Sequence, residues 1–238
     1  RMEELALEIE ERQRLLHFRS NRHWDTFLAL IEVLRHFGAL AGDEGLEPTE
    51  IGRTVAALRG DNELWLGLAL MSGHLDELGP PELAAVFEAI STEVNRPDLW
   101  CGYPPPPAVD EALHDLRGLR RELGRQQERA KVAFPIWWEP ELTGLVEAWA
   151  RGASWSDVIA NTSLDEGDVV RLLRRTVDLL AQVPYCEAVS QQLRDNARVA
   201  LKAINRFPVC ELEDLLPKPP AAIERPRPEL TPEGAPEG

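Results

Sequence analysis

Residues 155–180 read WSDVIANTSLDEGDVVRLLRRTVDLL, and this stretch decides the fold. Trp155 to Ala160 makes a short helical turn. Ser163 followed three positions later by Glu166 has the spacing of a capping box, which predicts a helix starting near Leu164. A short helix, a tight connection and a longer helix give the outline of a helix-turn-helix. On the longer helix Val169, Leu172, Leu173 and Leu180 form an apolar stripe. Arg171, Arg174, Arg175 and Asp178 fall on the polar side. Planar guanidinium groups suit phosphate contact or stacking on bases. The plain alternative is a solvated face, because like charges at i,i+4 such as Arg171 and Arg175 cost only about 0.2–0.5 kcal/mol.

The same periodicity extends in both directions. It appears at Phe27, Ile31 and Leu34, at Leu64, Leu68 and Met71, and at Leu83, Val86, Phe87, Ile90 and Val94. It continues at Val109, Leu113, Leu116 and Leu123, then at Leu142, Leu145, Val146 and Trp149. A last stripe runs through Val189, Leu193, Ala200, Leu201 and Ile204. The fold expected is mainly α, a bundle of about seven or eight helices. Residues 38–58, GALAGDEGLEPTEIGRTVAAL, set turn formers between short apolar stretches and predict a small β-hairpin in the N-terminal third. Pro104 to Pro107 cannot continue a helix and mark a candidate subdomain break at 104–107.

Composition bounds the function. With 238 residues, 44% of them hydrophobic, the chain can bury a sizeable core. A formal net charge of -15 disfavours a free-standing binder of polyanions unless local basic clusters face the partner. Cys101, Cys186 and Cys210 are odd in number and lie far apart, which fits neither a disulfide framework nor a CxxC metal site and predicts a reducing compartment. Five scattered histidines offer no ligand spacing, so no metal site is expected. No apolar run is long enough to span a membrane, and the start lacks the order of a signal peptide. Arg1 ahead of Met2 suggests a fragment of a longer chain. From Pro217 onward seven prolines and few large apolar residues predict disorder.

No phosphate-binding GxxxxGK[ST] loop, dinucleotide GxGxxG, HExxH or GxSxG pattern occurs, so catalysis by this segment alone is not expected. A second basic cluster, Arg117, Arg120, Arg121, Arg125 and Arg129, is interleaved with Glu122 and Glu128 and reads as a salt-bridged surface. Of Trp65, Trp137, Trp138, Trp149 and Trp155, most sit at core spacing, and at most one is expected to touch a ligand.

Residues 139–184, EPELTGLVEAWARGASWSDVIANTSLDEGDVVRLLRRTVDLLAQVP, resemble the signature of the DSHCT domain of superkiller-type, DExH-box RNA helicases. The shared features are a Pro-Glu-Leu entry, a helix ending in Trp-x-x-Gly-Ala, a Glu-Gly pair and Arg-x-x-Arg-Arg. GRTVAALRGDNELWLGLAL, residues 52–70, looks like an earlier block of the same domain, and the two together are similar to the cyanobacterial and plastid branch. RFPVCELEDLL, residues 206–216, departs from exosome-associated members.

The resemblance implies a noncatalytic helical domain over 22–208, entered by a helix over 1–21 and followed by a Pro-rich acidic tail over 209–238. It implies packing on two RecA-like domains of the same polypeptide, which would hold ATP and Mg, with no cofactor in this segment. One long helix would line the exit path of single-stranded RNA as a ratchet. Arg171 is the best-matched RNA-facing residue, with Arg174 or Arg175 as neighbours and Glu93, at the end of the helix beginning near Pro81, on the channel wall. The implied setting is the cyanobacterial cytoplasm or the plastid stroma, with further protein partners. Two other readings stay open: a DNA-binding helix-turn-helix regulator and a protein-interaction scaffold without nucleic acid.

Overall fold

A computed structural model describes residue 12 and residues 23–42, 46–94 and 96–210. The helix expected over 1–21 and the tail expected over 209–238 lie outside the described residues, apart from Arg12, Val209 and Cys210. Helix α1 covers residues 23–36. It is followed by β1 (Leu40–Ala41), β2 (Glu47–Pro48), α2 (Glu50–Ala57), α3 (Glu63–Met71), α4 (Pro80–Ser91) and α5 (Pro107–Ala130). Then come α6 (Thr143–Ala150), α7 (Trp155–Ala160), α8 (Glu166–Gln182) and α9 (Gln191–Ile204). The fold is mainly α with one small antiparallel hairpin, in which Leu40 pairs with Pro48 and Ala41 with Glu47.

Helix α4 lies at the centre and packs against α5, α6, α8 and α9. All residues from Leu83 to Ile90 are buried, so this helix has no solvent face, as expected of an apolar helix enclosed by neighbours. Pro80 and Pro107 open α4 and α5, where a missing N–H costs nothing. Side chains of Asn62, Ser154, Asp165 and Ser190 cap α3, α7, α8 and α9. Buried residues from α1 to α9 join in one hydrophobic core, including those on both sides of the proline stretch.

Two expectations change in detail. The hairpin is shorter than the stretch over 38–58, because Thr49 caps a helix and its hydroxyl accepts from Gly52 N, turning residues 50–57 into α2. Helix α8 starts at Glu166, two residues after Leu164, and its cap is not Ser163. Asp165 is its N-cap, accepting from Asp168 N at 2.9 Å. Ser163 instead accepts from Trp100 N at 2.8 Å, while Ser163 N donates to Trp100 O at 2.9 Å. A hydroxyl used to join two distant segments is not available to cap a helix.

The proline stretch is held by close backbone approach. A Cβ on Gly144, in the first turn of α6, would fall 2.4 Å from Pro104 O and 2.6 Å from Tyr103 O. Only glycine permits that approach. The far end of α6 is fixed by Trp149, whose Nε1 donates to Ile204 O at 2.9 Å, and by Arg206, which lies over its ring and donates to Trp149 O and Ala153 O.

Candidate functional site

The exit of α4 and the first half of α8 meet in a groove of about 340 Å³. Its walls are Thr92, Glu93, Val94 and Arg96 on one side and Asp168, Arg171 and Arg175 on the other, over a floor that includes Leu164 and Leu172. The spacing 168, 171, 175 follows i,i+3 and i,i+4, so these side chains lie along one face of the helix. Two ties hold the geometry. Backbone bonds between 100–102 and 161–163 bring the start of α8 beside the loop after α4. Arg96 then spans the gap and bonds the carboxylates of Asp165 and Asp168.

Of the residues singled out in the sequence, Glu93, Arg171 and Arg175 line this groove together. Glu93 lies two residues beyond the end of α4 at Ser91, and the helix begins at Pro80. Arg171 Nη1 donates to Asp168 Oδ1 at 2.8 Å, yet its side chain remains 73% exposed. Arg175 lies 3.9 Å from Asp61 Oδ2. Arg174 occupies a different flank, where its Nε donates to Val209 O at 2.8 Å. Arg171 and Arg174 are therefore not used on the same surface.

Three basic residues, Arg96, Arg171 and Arg175, and two acidic ones, Glu93 and Asp168, line the groove, so it carries nearly balanced charge. Asp168 N and then Arg96 hold the Asp165 carboxyl below its ordinary value. Burial first, then the carboxylates of Glu141 and Glu93, push Glu139 up. Chemically the groove offers planar donors and carboxylate acceptors above an apolar floor. That combination suits a flat group with hydrogen-bonding edges better than a bare phosphate.

The sequence reading missed Arg96 and Asp168. Arg96 sits in a loop with no periodicity to mark it, and Asp168 reads as an ordinary first-turn carboxylate. The second basic cluster is largely a solvated face: Arg125 pairs with Glu122, and hydrogen bonds from Gln126 and then Arg125 hold Glu122 down to about 2. Arg120 differs, lying 5.3 Å from the Trp138 ring.

Comparison with known proteins gives the site its context. The DSHCT (NUC185) domain profile matches residues 45–212, which takes in α2 to α9 and the whole groove. The chain is 36% identical over 193 residues to the DExH-box ATP-dependent RNA helicase DExH15 chloroplastic of Arabidopsis thaliana, covering 79% of this chain and 16% of that protein. It is 29% identical over 170 residues to the probable helicase HelY of Mycobacterium leprae, covering 66% of this chain and 18% of the relative. With the ATP-dependent RNA helicase mtr4 of Schizosaccharomyces pombe it shares 26% identity over 177 residues, 72% of this chain and 16% of the relative. The chain thus spans less than a fifth of the length of each of these relatives.

Proposed function

Because the chain belongs to the DSHCT (NUC185) domain family, we propose that it is the noncatalytic RNA-guiding domain of a DExH-box RNA helicase, with α8 as the ratchet along which the single strand passes. The observation that carries this reading is the convergence of Glu93, Arg171 and Arg175 on one groove along α8. Helix α8 has 17 residues and is about 25 Å long, enough to follow several nucleotides. Balanced charge keeps the hold weak. A strand that must advance needs contacts that form and release, and a strongly cationic groove would trap phosphates instead.

ATP and Mg would be bound by RecA-like domains elsewhere in the same polypeptide, and the pathway would be RNA unwinding, processing or turnover. A plastid stroma or a cyanobacterial cytoplasm is the setting we favour; the chloroplastic name of one relative supports the former. Among the described residues no helix is long and apolar enough to cross a membrane. The helix-turn-helix alternative is weakened by charge: a recognition surface needs a net basic face, whereas this chain carries a formal net charge of -15 and Asp168 holds Arg171 and Arg96 on the α8 face.

The test uses the complete helicase. Arg171→Ala should reduce single-stranded RNA affinity and unwinding while shifting stability by no more than about 0.5 kcal/mol. Phosphate contact would flatten the salt slope by about 0.7, whereas base stacking would lower affinity at constant slope. Unchanged affinity and unwinding would remove the reading.

A further inference from the structure

Beyond Arg175 a second groove of about 160 Å³ continues along α8. Its helix side is formed by Arg175, Asp178, Leu179 and Gln182, which extend the face used by Asp168 and Arg171. Arg175 belongs to both grooves. The opposite rim carries Trp137 and Asp61, delivered by the extended segment after α5 and the turn before α3.

The tryptophans divide into distinct uses. Trp65 and Trp149 are 1% and 0% exposed, and their indole N–H groups donate to Ile90 O and Ile204 O. Trp138 packs against Trp65 and Arg120, and Trp155 meets the edge of Trp149. Trp65 and Trp137 both line the groove, but Trp65 is buried at its base whereas Trp137 is half-buried. Its Nε1 donates to Asp61 Oδ2 at 2.8 Å, which anchors one edge of the ring. The end of the groove is equally fixed: Gln182 Oε1 accepts from Arg59 N, and Gln182 Nε2 donates to Arg59 O at 3.3 Å.

We propose that this second groove is a nucleobase subsite, in which one unpaired base of the strand guided by Arg171 packs on the indole of Trp137. The inference rests on the RNA-guiding reading above. The volume is about half that of the first groove, which limits the occupant to a single small planar group. Arg59 and Arg175 are offset by Asp61 and Asp178, so the groove does not select an anion. An anchored indole beside the apolar Pro135 and Leu179 offers what a base face needs: stacking area that tolerates any sequence. From position 171 to position 178 the helix rises about 10 Å, the span of about three nucleotides of a stacked strand. The two grooves would therefore hold bases about three positions apart.

The experiment measures binding of the complete helicase to a fluorescently labelled 20-nucleotide oligoadenylate, with Arg171→Ala, Trp137→Ala, Trp137→Phe and the Arg171→Ala/Trp137→Ala double variant. Trp137→Ala should weaken binding about 5- to 100-fold without changing the salt slope. Trp137→Phe keeps a stacking ring but loses the bond to Asp61, and should retain most of the affinity. The double variant should show the product of the single effects, as expected for separate subsites. If Arg171→Ala weakens binding and Trp137→Ala does not, the subsite is overturned while the guiding groove stands. Equal losses in Trp137→Ala and Trp137→Phe would overturn stacking and assign the indole to holding Asp61. If neither Arg171→Ala nor Trp137→Ala changes binding, the RNA-guiding reading falls and the subsite with it.

Discussion

Arg171 and Asp168 are joined within α8 by a 2.8 Å hydrogen bond from Nη1 to Oδ1, while the other oxygen of the same carboxylate takes Arg96 from the loop after α4. One acid thus holds two of the three guanidinium groups of the groove. With Arg171 largely exposed, the pair contributes only a few tenths of a kcal/mol to stability. Its larger effect is orientation, together with competition against any incoming anion. Asp168→Asn should therefore tighten oligonucleotide binding by the complete helicase at low ionic strength and steepen its salt dependence, both read from a salt titration. An unchanged slope would show that Asp168 does not restrain the arginines.

The neighbouring arginines should separate by phenotype. Arg174 donates to Val209 O, so Arg174→Ala should cost about 1 kcal/mol of stability, the worth of a hydrogen bond to a charged donor at a partly exposed site. Its effect on RNA affinity should be smaller than that of Arg175→Ala, since Arg175 lines both grooves. Denaturant unfolding and strand binding, measured on both variants, give the comparison. The reverse ranking would move the interface to the Val209 flank.

These contrasts mark where the sequence was legible. Periodicity identified α5, α6, α8 and α9, because each buries a stripe at helical spacing, and α4, whose apolar positions fit the same period although it is buried all round; the arginine face of α8 was visible on the same ground. It was blind to contacts that join distant positions. Ser163 looked like a cap but bonds Trp100; Arg174 was expected as a neighbour of Arg171 on the polar side but donates to Val209 O. Arg96 and Asp61 reach α8 from loops, where no period exists to reveal them, and Trp137 joins them through Asp61. Residues 50–57 carried turn formers and read as strand until the cap at Thr49 is considered.

The approach of α6 to the proline stretch gives a purely steric prediction. At Gly144 the neighbours of an added Cβ are backbone carbonyl oxygens of Tyr103 and Pro104, which cannot rotate aside. Gly144→Ala should destabilise the domain by about 1–3 kcal/mol even though alanine is the better helix former. Gly118, where a Cβ meets nothing within 4 Å, is the control: Gly118→Ala should stabilise α5 by up to about 1 kcal/mol. Equal effects in chemical denaturation would show that the proline stretch yields.

Glu88 makes the last prediction, one of pH. Its side chain is buried in the centre of α4 with neither carboxylate oxygen hydrogen-bonded. Burial first, then the carboxylates of Glu139 and Glu141, raise its acid well above the ordinary value. In the unfolded chain the same group ionises near about 4.3. Between these two points the folded protein binds more protons than the unfolded one, so this residue's contribution falls as pH rises and is lost through the folded pKa. Each pH unit in that window removes about 1.4 kcal/mol. Glu88→Gln keeps the shape and cannot ionise. Its stability relative to the unsubstituted protein should be least favourable near pH 4 and should improve as pH rises toward the raised folded pKa of Glu88. The lowered acids Glu122, Asp165 and Asp195 pull in the opposite direction but are common to both proteins and cancel in the difference. Urea unfolding at pH 4, 5.5, 7 and 8.5 supplies the curve, and a difference independent of pH would mean that Glu88 is ionised in the fold with a partner from elsewhere in the polypeptide.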